Sequence, residues 1–209
     1  MATSHFDIEA VKLGLPSPSQ EKVAILAIHG RNQDPDFMVE LLSRLGWQNF
    51  PTILPVAADK SWYPGGFMES LDKNGDKLKE SLELIAKYHQ ELNELGYKDE
   101  QLILMGFSQG ACLAAQYCLQ NPRKYHGIAI LTGGYIGPKG VDWSFEGDFY
   151  QTPIFISTSE IDEWVPPQRA EETAFEFKKL NGKVNFKLFK DRPHQVCEEE
   201  IEVVKQLIH

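Results

Sequence analysis

Ser108 stands between two glycines in the stretch Gly106-Phe107-Ser108-Gln109-Gly110. A serine hydroxyl is a poor nucleophile without a base, so the motif carries chemistry only where the chain presents that hydroxyl to one. The run Leu102 to Met105 before it is apolar, and small residues from Ala111 to Ala115 lead on towards Asn121-Pro122. The first reads as a buried strand and the second as a helix, so Ser108 falls at a sharp strand-to-helix turn. Such a turn strains the serine backbone and drives the residues two before and two after it together. Glycines at 106 and 110 remove the colliding Cβ atoms. The bland alternative is a glycine-rich turn in which Ser108 only caps the helix.

The base must come from the same edge of a sheet as Ser108, and three histidines compete. His126 precedes an apolar run, Ile128 to Leu131, which puts it at the opposite edge. His29 lies at the correct edge but directly before Gly30, in a stretch suited to presenting backbone N–H groups. His194 follows the last strand, in a loop after Arg192-Pro193, and is the expected base. An imidazole base needs a carboxylate to fix its tautomer. Asp162 lies just past a strand end and is the expected acid, with Glu160 as runner-up; Glu171, Glu172 and Glu176 fall on a solvated helix face. The chain order nucleophile, acid, histidine is that of α/β-hydrolases, not of the chymotrypsin or subtilisin types.

The elements that must carry these groups alternate along the chain. Val23 to Ile28 is a continuously apolar run, as in a strand buried on both faces of a parallel sheet. Asp34-Pro35 opens a helix with Phe37, Leu41, Leu42 and Leu45 on one face, and Gly46 ends it. Pro51 to Val56 reads as a short strand. Leu78, Leu82, Ile85, Leu92 and Leu95 repeat at helical spacing up to Gly96, with His89 as a partly exposed residue between them. Further strands are expected at 128–131, 154–156 and 184–189, with helices marked by Ala170, Ala174 and Phe177 and by Val196, Ile201, Val204 and Leu207. The alternation implies a mostly parallel central sheet with helices on both faces and function at the strands' C-terminal ends.

Between these elements, the loop Ser61 to Met68 is rich in Gly and Pro yet carries Trp62, Tyr63, Phe67 and Met68, as does a pocket wall. Trp143 and Trp164 follow later strands and join them as candidate pocket residues.

The 209 residues carry no Pro/Ser-rich linker, so residues 1–209 are expected to form a single domain. A hydrophobic content of 42% supplies a sizeable core, and a formal charge of -9 argues against nucleic acid as a partner. Residues 1–12 lack a secretory pattern, and no run reaches membrane-span length, so stable membrane insertion is not expected. Three cysteines suit a reducing cytoplasm. Cys112 and Cys118 read as packing residues; Cys197, three residues after His194, would approach the imidazole if a helix ran there. No spacing of His and Cys offers three or four metal ligands, so neither metal nor other cofactor is expected.

The motif around Ser108, with its glutamine, resembles the nucleophile motif of the phospholipase/carboxylesterase family of small serine hydrolases, which includes acyl-protein thioesterases. Asp162-Glu163-Trp164-Val165-Pro166 is similar to that family's acid motif, and His29-Gly30-Arg31 to its oxyanion loop. The resemblance runs from Val23 to His194. It implies an α/β-hydrolase fold without a large lid domain, and backbone N–H groups of Arg31 and Gln109 as oxyanion donors. Asn32 and Pro193 stand where the family commonly has glycine. The expected activity is hydrolysis of small carboxylic esters or thioesters through an acyl-enzyme. Deacylation of lysophospholipids or acylated proteins is the alternative, and a non-catalytic scaffold that only binds is the alternative of another class.

Overall fold

The computed structural model describes residues 3–15 and 23–208. Met1 and Ala2, part of the stretch read for a secretory signal, lie outside the described residues, as do 16–22 and His209. Seven strands form one sheet: β1 (Val11–Leu13), β2 (Ala24–Ile28), β3 (Thr52–Leu54), β4 (Leu102–Phe107), β5 (Gly127–Leu131), β6 (Pro153–Ser159) and β7 (Lys183–Phe189). Their order is β1-β3-β2-β4-β5-β6-β7, and every pair is parallel except β1 with β3.

The central strands are apolar throughout, yet alternate residues serve different cores. Leu26, Ile28, Leu104, Ile128, Ile130 and Ile156 face one cluster, which α2 (Leu71–Glu94), α3 (Gln109–Gln120) and α4 (Pro167–Lys179) cover. Ile25, Ala27, Ile103, Met105, Phe107 and Leu131 face the other, under α1 (Pro35–Leu45) and α5 (Glu198–Lys205). This is the period-2 geometry of a strand buried on both sides. The result is an α/β-hydrolase fold, and among the described residues no insertion forms a separate lid domain.

Registers line up the strand ends that matter. Ile28 pairs with Gly106, Gly106 with Ile130, Leu131 with Ser157 and Ser159 with Phe189. The residues just beyond these pairs, from His29 to the His194 loop, therefore share one edge.

Several elements differ from expectation. α2 begins at Leu71, about two turns before Leu78, and carries a non-helical residue at Gly75 (φ 34°) that only glycine adopts without strain. β6 continues through Ser157, Thr158 and Ser159, all fully buried, because β7 pairs along its whole length. Strand β1 has no apolar run to announce it. His89 is buried, not partly exposed: its ring nitrogens meet the Tyr117 hydroxyl at 2.9 Å and Asp99 Oδ1 at 2.8 Å. The last helix starts at Glu198, so residues 194–197 are not helical and Cys197 sits at the helix N-cap. Burial pushes the Cys197 thiol pKa up.

Candidate active site

Ser108 sits at the β4–α3 junction with φ 55° and ψ -121°, a strained conformation for a residue with a side chain. A Cβ at Gly106 would lie 2.4 Å from Gly110 O, and one at Gly110 would lie 2.2 Å from Ile28 O. The first collision is the one foreseen across the turn. The second is with the end of β2, so Gly110 also lets α3 dock against its neighbouring strand. Ser108 makes no side-chain capping bond to α3. Its Oγ lies 2.8 Å from His194 Nε2, and His194 Nδ1 lies 2.8 Å from Asp162 Oδ2.

The protonation pattern follows from the partners. Asp162 can only accept when ionised, so Nδ1 carries the imidazole proton and Nε2 is left to accept from the Ser108 hydroxyl. The Asp162 side chain is fully buried. Burial pushes its pKa up, but the hydrogen bond from His194 and backbone N–H donors at Val165 and Trp164, both 2.9 Å from Oδ1, outweigh this and hold it below the ordinary value. Glu160 is exposed, and Asp162 is the carboxylate that meets the imidazole.

The other histidines are used elsewhere. His29 donates from Nδ1 to Gly30 O at 2.8 Å and accepts from Ala57 N–H at Nε2, 3.2 Å away. Burial lowers its pKa. His126 lies directly before β5, at the far edge of the sheet.

After β2 the chain turns tightly beside Ser108. A Cβ at Gly30 would lie 3.2 Å from Ser108 Cβ. Gly30 N–H is taken by Gln33 Oε1 at 2.8 Å and Asn32 N–H by Lys60 O at 2.8 Å. The N–H of Arg31 meets no acceptor among the described residues, nor does that of Gln109, the first residue of α3. Asn32 adopts φ 61°, a left-handed angle that asparagine tolerates.

A cavity of about 490 Å³ opens on Ser108 and His194, with Tyr63, Phe67, Cys112, Trp164 and Val165 as its apolar lining. Trp62 does not reach it. It is fully buried, with Nε1 donating to His29 O at 2.7 Å and its ring 5.0 Å from that of His29, so it braces the β2 loop from behind. Met68 is not part of the lining either. Trp143 lies elsewhere, donating to Ile136 O at 2.6 Å and lining a separate groove between α2 and the end of α3. Trp164 stands exposed at the rim.

Three side chains whose duty the sequence does not announce tie the cavity wall. The Arg31 guanidinium donates to the carbonyls of Tyr63 (2.8 Å), Pro64 (3.1 Å) and Gly65 (2.5 Å). The Gln109 side chain accepts from Trp62 N–H at 3.0 Å and donates to Tyr63 O at 2.8 Å. Buried Asn74 accepts from Gly65 N–H and donates to Gly66 O, both at 2.9 Å. Their partners are backbone groups of an irregular loop, which leave no periodic signature in sequence.

Among known proteins, the family model described as Phospholipase/Carboxylesterase matches residues 46–209. Acyl-protein thioesterase 1 of Saccharomyces cerevisiae is 32% identical over 146 residues, 68% of this chain and 59% of its own length. The corresponding protein of Kluyveromyces lactis is 28% identical over 63% of this chain and 59% of its own. The chain thus spans about three fifths of these curated relatives. A solved phospholipase/carboxylesterase from Dyadobacter fermentans is 34% identical, with a TM-score of 0.91 over 96% of this chain and 95% of that one.

Proposed function

This chain belongs to the phospholipase/carboxylesterase family, and from that premise we propose that it is a serine hydrolase that cleaves small carboxylic esters or thioesters through an acyl-enzyme. The observation that carries this reading is the chain of contacts Ser108 Oγ to His194 Nε2 and His194 Nδ1 to Asp162, each 2.8 Å long. His194 takes the hydroxyl proton as Oγ bonds to the carbonyl carbon, and the carbonyl π pair moves onto oxygen. The N–H groups of Arg31 and Gln109 hold that oxyanion. As the intermediate collapses, the bond to the leaving alcohol or thiol breaks and His194 returns the proton to it. Water then repeats the sequence on the acyl-enzyme, releasing the acid and Ser108. The acyl-enzyme needs no cofactor, and the three cysteines, all free thiols, fit a reducing cytoplasm.

A short acyl group is the expected substrate for this cavity of about 490 Å³, whose lining includes buried Tyr63 and Cys112. The name of the yeast relative favours a second reading, an acyl-protein thioesterase, and the family description keeps a lysophospholipase beside it. Two measurements decide. A fluorophosphonate should label the parent at Ser108 and leave Ser108→Ala unlabelled; persistent labelling removes the serine assignment, and an unlabelled parent supports a binding scaffold. Across p-nitrophenyl esters kcat/KM should peak at roughly two to six carbons. Each further buried methylene is worth about 0.8 kcal/mol, so a steady climb to twelve or sixteen carbons establishes the long-chain reading instead.

A further inference from the structure

The loop that carries His194 is held by a buried ion pair outside the Ser-His-Asp chain. Gln195 N–H donates to Pro193 O at 2.7 Å, making His194 the central residue of a three-residue turn. Arg192 Nη1 donates to both carbonyls that flank it, Pro193 O at 3.4 Å and Gln195 O. Nη2 donates to Thr132 Oγ1, 2.8 Å away just past the end of β5, and the guanidinium lies 5.1 Å from the centre of the Phe189 ring. Arg192 Nε is 3.7 Å from Glu200 Oε2, and the two side chains are 4% and 0% exposed. Glu200 in turn accepts from Ser157 Oγ on β6 at 2.5 Å and from Cys197 N–H at 2.8 Å.

Burying an arginine and a glutamate is costly, and such a pair is weak evidence for net stability. Its distinguishing feature is where its bonds go: to the two carbonyls either side of the base, to the end of β5 and, through Glu200, to β6. Proline at 193 limits the backbone freedom of Arg192 and cannot donate, so the turn is anchored through its carbonyls. We propose that Arg192, with Glu200 as its buried counter-charge, is a positioning residue that fixes the His194 turn at hydrogen-bond distance from Ser108. The inference rests on His194 being the base.

Removing the guanidinium alone strands the Glu200 carboxylate, so the informative variant is Arg192→Leu/Glu200→Gln, which removes both charges while the single amide oxygen still accepts from Cys197 N–H and the amide NH₂ donates to Ser157 Oγ. Its expected signature is a melting temperature near that of the parent, with kcat lower by up to about a hundredfold, the scale of a ~1 Å misplacement of a catalytic group. KM for p-nitrophenyl acetate should be unchanged, because Arg192 does not line the cavity. Arg192→Lys keeps the charge but not the fork and should recover only part of kcat. If the double variant is too unstable, Thr132→Val removes just the Nη2 anchor and should lower kcat several-fold at constant KM. Parent-like kcat in the folded double variant or in Thr132→Val, or a change confined to KM, overturns the positioning role. His194→Ala run alongside separates the two levels: inactivity there with parent-like Arg192 variants sinks only the positioning, whereas an active His194→Ala sinks the base assignment itself.

Discussion

Replacing Asp162 by asparagine tests how the acid loop works, because the carboxylate has two duties with different partners. Oδ1 accepts from Trp164 and Val165 N–H, and Oδ2 accepts from His194 Nδ1. An amide has one oxygen, and two backbone donors hold it more strongly than one imidazole does. The substituted side chain would therefore keep its oxygen on the loop and turn its NH₂ towards His194, forcing the proton from Nδ1 to Nε2. Nε2 could then no longer accept from Ser108. The geometry survives while the base is lost, a change that costs on the order of 10⁴ in kcat, or about 5.5 kcal/mol. The assay is steady-state hydrolysis of p-nitrophenyl acetate by Asp162→Asn and Glu160→Gln, with thermal melts of both. The expected result is a crippled Asp162→Asn of near-parent KM and stability beside a near-parent Glu160→Gln. Asp162→Ala, which leaves the part-buried Val165 N–H without its acceptor while water reaches that of exposed Trp164, should also lose stability, by about 1–3 kcal/mol. Asp162→Asn retaining more than about a tenth of parental kcat would refute the tautomer argument, and a crippled Glu160→Gln would move the acid by two residues.

Gly106→Ala places a methyl 2.4 Å from Gly110 O, and backbone cannot swing aside as a side chain can. Overpacking of this kind costs about 1–3 kcal/mol, so the melting temperature should fall by several degrees together with the rate of acylation by a fluorophosphonate; parent-like values in both would show that the turn is slacker than its contacts indicate. Stability should also fall with acid before the carboxylates titrate. Burial lowers the pKa of His5, His29 and His89, so the unfolded chain takes up protons near pH ~6.5 that the folded chain refuses. The contribution of each is complete above that value and is lost as pH falls towards its folded pKa, with a slope of up to about 1.4 kcal/mol per pH unit. Urea midpoints at about pH 7.5 and 5.5, either side of the ordinary histidine pKa, measure this, and His89→Gln should flatten the dependence; a midpoint that holds or rises towards the acid value contradicts it.

The parts of the fold that sequence announces are those where one physical demand acts alone. β2, β4 and β5 need apolar residues on both faces, and Ser108 needs glycine two residues away on each side, so both are visible as residue types. β6 hides its second half because Ser157, Thr158 and Ser159 meet a different demand. Ser157 bonds Glu200 and Thr158 bonds Val165 O, so hydroxyls occupy a buried strand where an apolar run is the usual sign. His89 misleads for the same reason, since a polar ring at a helix position reads as exposed unless Asp99 and Tyr117 are known to satisfy it. The composition of its loop points Trp62 towards the pocket, but an indole N–H that finds His29 O makes it a buried brace.

The cavity wall poses the general problem behind those misses. Loops at a sheet edge leave carbonyl and N–H groups outside the β-ladder, and each must be satisfied before the wall can hold a shape. Here side chains supply the bonds: Arg31, Gln109 and Asn74 for residues 62–66, Asp162 for 164–165, and Arg192 for 193 and 195. That use has a chemical consequence. Arg31 brings a full positive charge within reach of the cavity, but its guanidinium is committed to three carbonyl oxygens of the wall. Those bonds hold the guanidinium against the wall, where it serves rigidity. An oxyanion at Ser108 would meet neutral N–H dipoles, which cost little to hold in place once the loop is fixed. In a chain of net charge -9, such dipoles act most on charge that appears only when the carbonyl is attacked. For the esterase proposed above, neutral acyl groups are therefore the expected substrates.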